Sequence, residues 1–113
     1  MGAALYNFKL NAGQAFRLPI QLKLSDGTPK DFTGWDFKSE IRDDTTNELL
    51  ATAIIESRTD AQGLVTLAFP AEDTALLSAT EANYDAVAII PGQTDPEGLL
   101  YGKATIIPRV TAV

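Results

Sequence analysis

The sequence predicts an all-β fold, an antiparallel β-sandwich of seven or eight short strands with one helical turn around residues 72–79. Two observations carry that expectation: strict alternation of apolar and polar residues in several runs, and Gly, Pro or Asx turn chemistry between the runs. Size agrees, because 113 residues with 45% hydrophobic and 21% charged side chains suit one core, folded as a single domain over 1–113.

The clearest run is Gln14 to Leu24, where Phe16, Leu18, Ile20, Leu22 and Leu24 form the inward set. Pro19 lies in the outward set and cannot donate to a ladder, so this strand is expected at a sheet edge or at a bulge. Ser25-Asp26-Gly27-Thr28-Pro29 then reverses the chain. After Asp31-Phe32-Thr33-Gly34, a second amphipathic strand puts Trp35, Phe37, Ser39 and Ile41 on one face. A polar loop, Asp43 to Glu48, precedes Leu49 to Ile55, which is too short for a helix and reads as one strand. Asp60-Ala61-Gln62-Gly63 makes a turn into Leu64–Phe69, whose Val65, Leu67 and Phe69 share a face, and the two runs read as a hairpin.

Glu72, Asp73 and Thr74 ahead of Ala75-Leu76-Leu77 favour one or two helical turns, since acidic residues suit the positive end of a helix. Tyr84 to Ile90 reads as a strand, Gly92 to Gly98 as a loop and Leu99 to Pro108 as a last long strand. Outward-facing polar residues fit the two solvated faces of a sandwich.

Composition excludes several function classes. The net charge of −6, with nine scattered Lys and Arg, is wrong for a phosphate backbone, so no nucleic acid partner is expected. The absence of cysteine removes thiolate nucleophiles, disulfides and zinc–thiolate sites. The absence of histidine removes the usual general base near pH 7 and every Ser-His or Cys-His pair. Nothing at the N-terminus resembles a signal peptide or a membrane span, and Tyr6 spoils a myristoylation reading of Met1-Gly2. No membrane partner and no cofactor are expected.

Carboxylates are the abundant candidates that remain, at Asp43-Asp44, Glu72-Asp73 and Asp95 with Glu97. A glycosidase needs two of them flanking a sugar, and calcium needs six to eight oxygens. All of these residues fall in expected loops or at a helix start, where capping and solvation explain them, and the Asp43–Glu48 spacing matches no EF-hand loop. Trp35 could stack on a sugar, but it shares its face with Phe37 and Ile41 and is expected in the core. Tyr84, opening a strand after the helical turn, is expected to form a tyrosine corner whose hydroxyl bonds nearby backbone.

A series of short motifs runs along the whole chain: Gly13-Gln14-Ala15-Phe16, Asp26-Gly27-Thr28-Pro29, Asp31-Phe32-Thr33-Gly34-Trp35 and Glu40-Ile41-Arg42. Gly63 to Leu67, Thr74 to Leu77 before Tyr84-Asp85, and Tyr101-Gly102-Lys103 leading into Ile106 to Val110 complete it. In order and spacing this resembles the small β-sandwich domain of tailed-bacteriophage baseplate and fibre-attachment proteins, similar to the N-terminal domain of the phage baseplate upper protein. The resemblance implies an Ig-like sandwich without catalytic residues, located on a virion after synthesis in the host bacterial cytoplasm. Its implied role is to dock other virion proteins of the baseplate, neck or collar, or fibre base, as a homo-oligomer or in multiple scaffold-bound copies. Because the chain stops at Val113, where the baseplate-type protein continues, a separate connector, collar or decoration subunit is expected.

Two segments are expected to reach a neighbour as assembly arms, residues 1–10 through Leu5, Tyr6, Phe8 and Leu10, and residues 109–113 through Arg109 and Val110. Open strand edges are a second expected means of contact. Deleting residues 1–10 should then abolish incorporation into particles while sparing the fold. Two other classes compete with the virion reading: a carbohydrate-binding or host-receptor-binding module, and an acidic adaptor or inhibitor of one host protein.

Overall fold

The computed structural model describes residues 3–77 and 81–108. Its strands are β1 (Ala4–Leu5), β2 (Phe8–Asn11), β3 (Phe16–Gln21), β4 (Asp36–Asp43), β5 (Leu49–Thr52), β6 (Ile54–Thr59), β7 (Leu64–Phe69), β8 (Glu81–Ile89) and β9 (Glu97–Ile107). One helical turn, α1 (Ala71–Thr74), joins β7 towards β8. The first sheet has the order β1-β9-β8-β4-β5, with β2 also on β9, and the second has the order β3-β7-β6. The two inner faces close on one core in which Leu10, Phe32, Ile41, Val65, Leu67 and Phe69 are fully buried.

The alternation in the sequence becomes this core directly. Phe37, Ser39 and Ile41 of β4 point inward, as do Ala82, Tyr84, Ala86 and Ala88 of β8 and Val65, Leu67 and Phe69 of β7. Small residues on β8 leave room in the core for the large buried rings of Phe32, Phe37 and Phe69. Ser39, the one buried hydroxyl of β4, donates to the Asp85 carbonyl at 2.6 Å and so leaves no unpaired polar atom inside.

β3 is an edge strand, which accounts for Pro19. The Leu22 N–H donates to the Gly63 carbonyl at 2.8 Å, so alternate pairs counted back from there exchange hydrogen bonds. Pro19 opposite Thr66 is then an unbonded pair, and its donor-free nitrogen faces the open side. Leu24 was expected inward but is exposed, because the chain past Gln21 turns into a small hairpin bridged at Lys23 and Pro29. Gly63 is required at the turn before β7: its φ is +66°, and a Cβ there would stand 2.4 Å from the Leu22 carbonyl oxygen.

Four differences from the expected fold have physical causes. The apolar run from Leu49 is two strands, not one. β5 pairs with β4, Ala53 still donates to the Ser39 carbonyl at 2.9 Å, and from Ile54 the chain crosses to pair with β7 in the other sheet. Local alternation cannot reveal a change of partner. The helical turn is one turn, ending at Thr74; Leu76 is 80% exposed while Leu77 is buried, and residues 78–80 lie outside those described. Thr74 itself is buried, accepting from the Gly13 N–H at 3.1 Å and donating to the Gln14 carbonyl at 2.8 Å, which ties α1 to the β2–β3 turn.

The sheet is also not wholly antiparallel, because β1 and β2 run parallel to β9, with Ala4 opposite Leu100 and Leu10 opposite Ile106. That pairing overturns the expectation for the N-terminal segment. Phe8 and Leu10 are not arm residues but core, with Phe8 stacked on Phe16 at 4.2 Å between ring centroids. Removing residues 1–10 therefore removes two core side chains and a strand, so the deletion does not spare the fold. Leu5 at 62% exposure and the half-exposed Tyr6 are the arm candidates still facing outward; Arg109 and Val110 lie outside the described residues.

The second finding in this segment is how the strand is held. Tyr84 donates its hydroxyl hydrogen to the Tyr6 carbonyl, the Tyr6 N–H donates to the Tyr101 carbonyl at 2.9 Å, and Asn7 Oδ1 accepts the Lys103 N–H at 2.9 Å. Gly102 makes room for this crossing, since a Cβ would sit 2.5 Å from the Tyr6 oxygen and 2.6 Å from Asn7 Oδ1. Gly102→Ala is expected to cost about 1–3 kcal/mol through this overlap, and Leu10→Ala about 2–5 kcal/mol through a core cavity. Both costs are read as lower urea midpoints at unchanged slope; midpoints equal to that of the parent protein would mean that the strand is not part of the cooperative fold.

Candidate functional site

Three surfaces bear on function, and each rests on side chains placed by the two sheets. The first is a cleft of about 500 Å³ at the end of the sandwich where β4 begins. Leu22, Trp35, Ile90 and Leu99 give it apolar walls, and Lys23 and Lys30 line its rim. Trp35 stands just before β4, held by its N–H to the Phe32 carbonyl at 3.0 Å, and is half-buried, not fully inside like Phe37 and Ile41. The Phe32 ring stacks against it at 6.2 Å, and the Lys30 ammonium lies 5.6 Å over the indole. With these neighbours on it, the ring is not a bare platform for a sugar.

The second surface is the outer face of the larger sheet. Cross-strand register aligns Leu5, Tyr101, Asp85, Glu40 and Thr52 in one row across β1, β9, β8, β4 and β5. Crowding by its neighbours, and then the Glu40 carboxylate opposite, hold the Asp85 carboxyl above the usual aspartate range, with Arg42 partly offsetting them. Arg42 pairs with Glu40 at 3.0 Å and donates to the Asn47 carbonyl at 3.1 Å.

The third surface is the set of sheet edges. Pro19 removes the central outward donor of β3, β6 is bulged at Glu56, and β5 is only four residues long. Glu56 is held by Arg17 at 2.7 Å across the sheet. These are devices that keep an edge from adding a strand, so the β3, β5 and β6 edges are blunted.

The carboxylates singled out in the sequence are not brought together. Asp43 Oδ1 accepts the Thr45 and Thr46 N–H groups at 2.8 and 3.0 Å and closes the β4–β5 turn. Glu72 and Asp73 occupy the first turn of α1, and Asp95 and Glu97 lie at the β8–β9 turn and the start of β9. Among the described residues no group of three could hold a metal ion. Tyr84 does form a hydroxyl-to-backbone bond, but to Tyr6, 78 residues away in sequence, not to nearby chain. Burial, and then Tyr6, push its phenol up to about 12. Sequence reasoning missed the cleft, because its walls come from the exit of β3, the turn before β4 and the β8–β9 connection, and no local pattern joins them.

Two sheets of this order around a common core make an Ig-like β-sandwich. Among solved structures the chain is similar to a VGSC beta subunit determined in photo-crosslinking analyses of multimeric cell-adhesive interactions. The TM-score is 0.51 at 10% identity, over 91% of this chain and 92% of that one. At that identity the likeness shows the fold alone. No protein-family model matches the chain, and no curated protein does.

The carboxyl groups give a pH test. Hydrogen bonds from Thr28 to Asp26 and from Thr33 to Asp31, and from the Thr46 and Thr45 backbone to Asp43, lower these three below the usual aspartate range. Their contribution is present above the unfolded value, near 3.9, and is lost as pH falls through the lower folded values. Asp85 has the opposite sign: the folded chain binds its proton more tightly, so its contribution is lost as pH rises through the raised folded value. Its carboxylate reaches solvent, so the effect is small. Carbon-detected NMR titration should place Asp85 above, and Asp26, Asp31 and Asp43 below, the ordinary midpoint. Coincident midpoints would mean that the turn bonds and the Glu40–Asp85 pairing do not persist in solution.

Proposed function

We propose that the chain is a non-enzymatic structural subunit of a tailed-phage virion that docks other virion proteins at a baseplate, neck or collar, or fibre attachment. What supports this reading is where the motifs of the resemblance fall in the fold. Asp26-Gly27-Thr28 and Asp31-Phe32-Thr33 are both turns closed by an aspartate on the threonine two residues later, at 3.0 Å to the backbone N–H in each case. Phe32 between them is fully buried. Gly63, Tyr84 and Gly102 are the positions where a turn or the N-terminal strand admits no other geometry. Motifs that fall on turns and backbone crossings, and not on a cleft, suit an architectural role such as docking.

The chemistry of the surface is compatible with this role. There is neither histidine nor cysteine in the chain, and Asp26, Asp31 and Asp43 close turns. With β3, β5 and β6 blunted, contact falls to the faces, the ends and the β1 edge with its outward Leu5–Tyr101 pair, where modest interfaces repeated around a symmetric particle sum to firm attachment.

The test is composition of particles. Tailed particles made from the genome encoding the chain should retain it through a density gradient, detected by mass spectrometry. A null allele should yield particles that lack one tail or fibre substructure. Absence of the chain from gradient-purified particles, with normal morphology in the null, would overturn the proposal.

A further inference from the structure

The edge of the larger sheet made by β1 and β2 differs from the other sheet edges. β3, β6 and β5 are blunted by a proline, a bulge and shortness, whereas residues 4–11 follow β9 in one register, with Leu5 opposite Tyr101 and Phe8 opposite Ala104. That is roughly 26 Å of extended chain. The Tyr6 N–H donates to the Tyr101 carbonyl and the Ala12 N–H to the Ile107 carbonyl, both at 2.9 Å, so the even-numbered residues serve β9. In a parallel ladder the residues between them face the other way, which turns the N–H and C=O of Leu5 and Lys9 out of the sheet.

The side chains along this edge suit a second copy of the chain. Leu5 is 62% exposed and Tyr6 48%, at the start of a segment whose Phe8 and Leu10 are buried. All 15 carboxylates of the sequence lie between Asp26 and Glu97, so residues 4–11 and the facing residues 100–107 carry none. Asp85 and Glu81 stand one strand further in, opposite Tyr101 and Thr105. Two copies of a chain of net charge −6 therefore meet at this edge without bringing their acidic groups together. Lys9 is the one charge on the edge, and it disfavours any register that sets it against itself.

We propose that the β1–β2 edge pairs with the same edge of a second copy, antiparallel about a two-fold axis at Asn7, so that the two larger sheets become one. In this register the outward backbone groups of Leu5 meet those of Lys9 in the other copy, and the exchange is repeated across the axis. Each exposed leucine is covered by a lysine stem, and the two ammonium groups stay apart. The contact is isologous and closes at two copies. It stands apart from the virion reading, because the pairing forms with or without a particle.

Sedimentation velocity of the full chain tests it, with near-ultraviolet circular dichroism reporting the fold. The parent protein should pass from monomer to dimer as concentration rises. Lys9→Pro removes an outward donor, as Pro19 does on β3, and should give a folded monomer; Lys9→Ala keeps the donor and should still dimerise. The register is read from charge at position 5. Leu5→Lys sets like charges opposite each other on both sides of the axis and should weaken association about five-fold or more. Leu5→Glu should hold it near the parent level, and Leu5→Lys combined with Lys9→Glu should recover it. A protein monomeric at every concentration, a folded Lys9→Pro variant that still dimerises, or equal effects of Leu5→Lys and Leu5→Glu would overturn the proposal. If Lys9→Pro does not fold, the variants at position 5 decide the matter.

Discussion

The Tyr84 hydroxyl on the Tyr6 carbonyl is the contact on which the rest of the architecture depends. It reaches from the middle of the sheet to the chain's first strand pair, at the point where that chain passes from β1 to β2 and loses its ladder bonds to β9. Tyr6 is half-exposed, so the bond matters less for satisfying its carbonyl than for fixing where the chain crosses. Fixing that crossing also sets where Phe8 falls, and hence the stack of Phe8 on Phe16 and its contact with the Tyr84 ring at 4.5 Å. A phenol is protonated at neutral pH and so serves as a donor here, and burial extends that range upward. Gly102 is the other half of the same constraint, an absence of side chain where two backbones meet.

The distribution of polar groups follows one economy. Aspartates on short loops hold their own turns shut, arginines on the strands are paired with carboxylates, and buried hydroxyls bond to backbone. Arg58 shows the pattern at its densest: its guanidinium lies over the rings of Phe32 and Phe37 at 5.4 and 5.3 Å while its Nε meets Asp60 at 2.6 Å. It covers the two rings beside the β6–β7 turn without leaving its charge unanswered.

Much of the fold was legible because alternation reports burial directly. β4, β7 and β8 lie where their apolar periodicity put them, and Pro19 announced an edge by lacking a donor. What was hidden is pairing. The run Leu49-Leu50-Ala51-Thr52-Ala53-Ile54-Ile55 looks uniform, yet its two halves bond to different sheets. Residues 3–11 are short and mixed, and terminal position suggested freedom; long-range pairing with β9, pinned at the crossing by Tyr84 and Lys103, makes them two strands. Trp35 was placed on the face of Phe37 by periodicity, but the strand starts one residue later and the indole moves out to the rim. The cleft was invisible for the same reason, since it is a meeting of distant segments.

The parallel seam between the first and last strands has a mechanical consequence. β1 and β2 enter at one end of the sandwich and β9 leaves at the other, with their ladder lying along the line between those points. Tension applied between Ala4 and Ile107 would act in shear, straining the whole row of bonds at once, where an antiparallel hairpin pulled at its open end would unzip one bond at a time. The Tyr84 and Asn7 contacts sit midway along that row. Under pull, rupture would have to be collective, so resistance to force would greatly exceed what the modest number of bonds in the seam implies at rest.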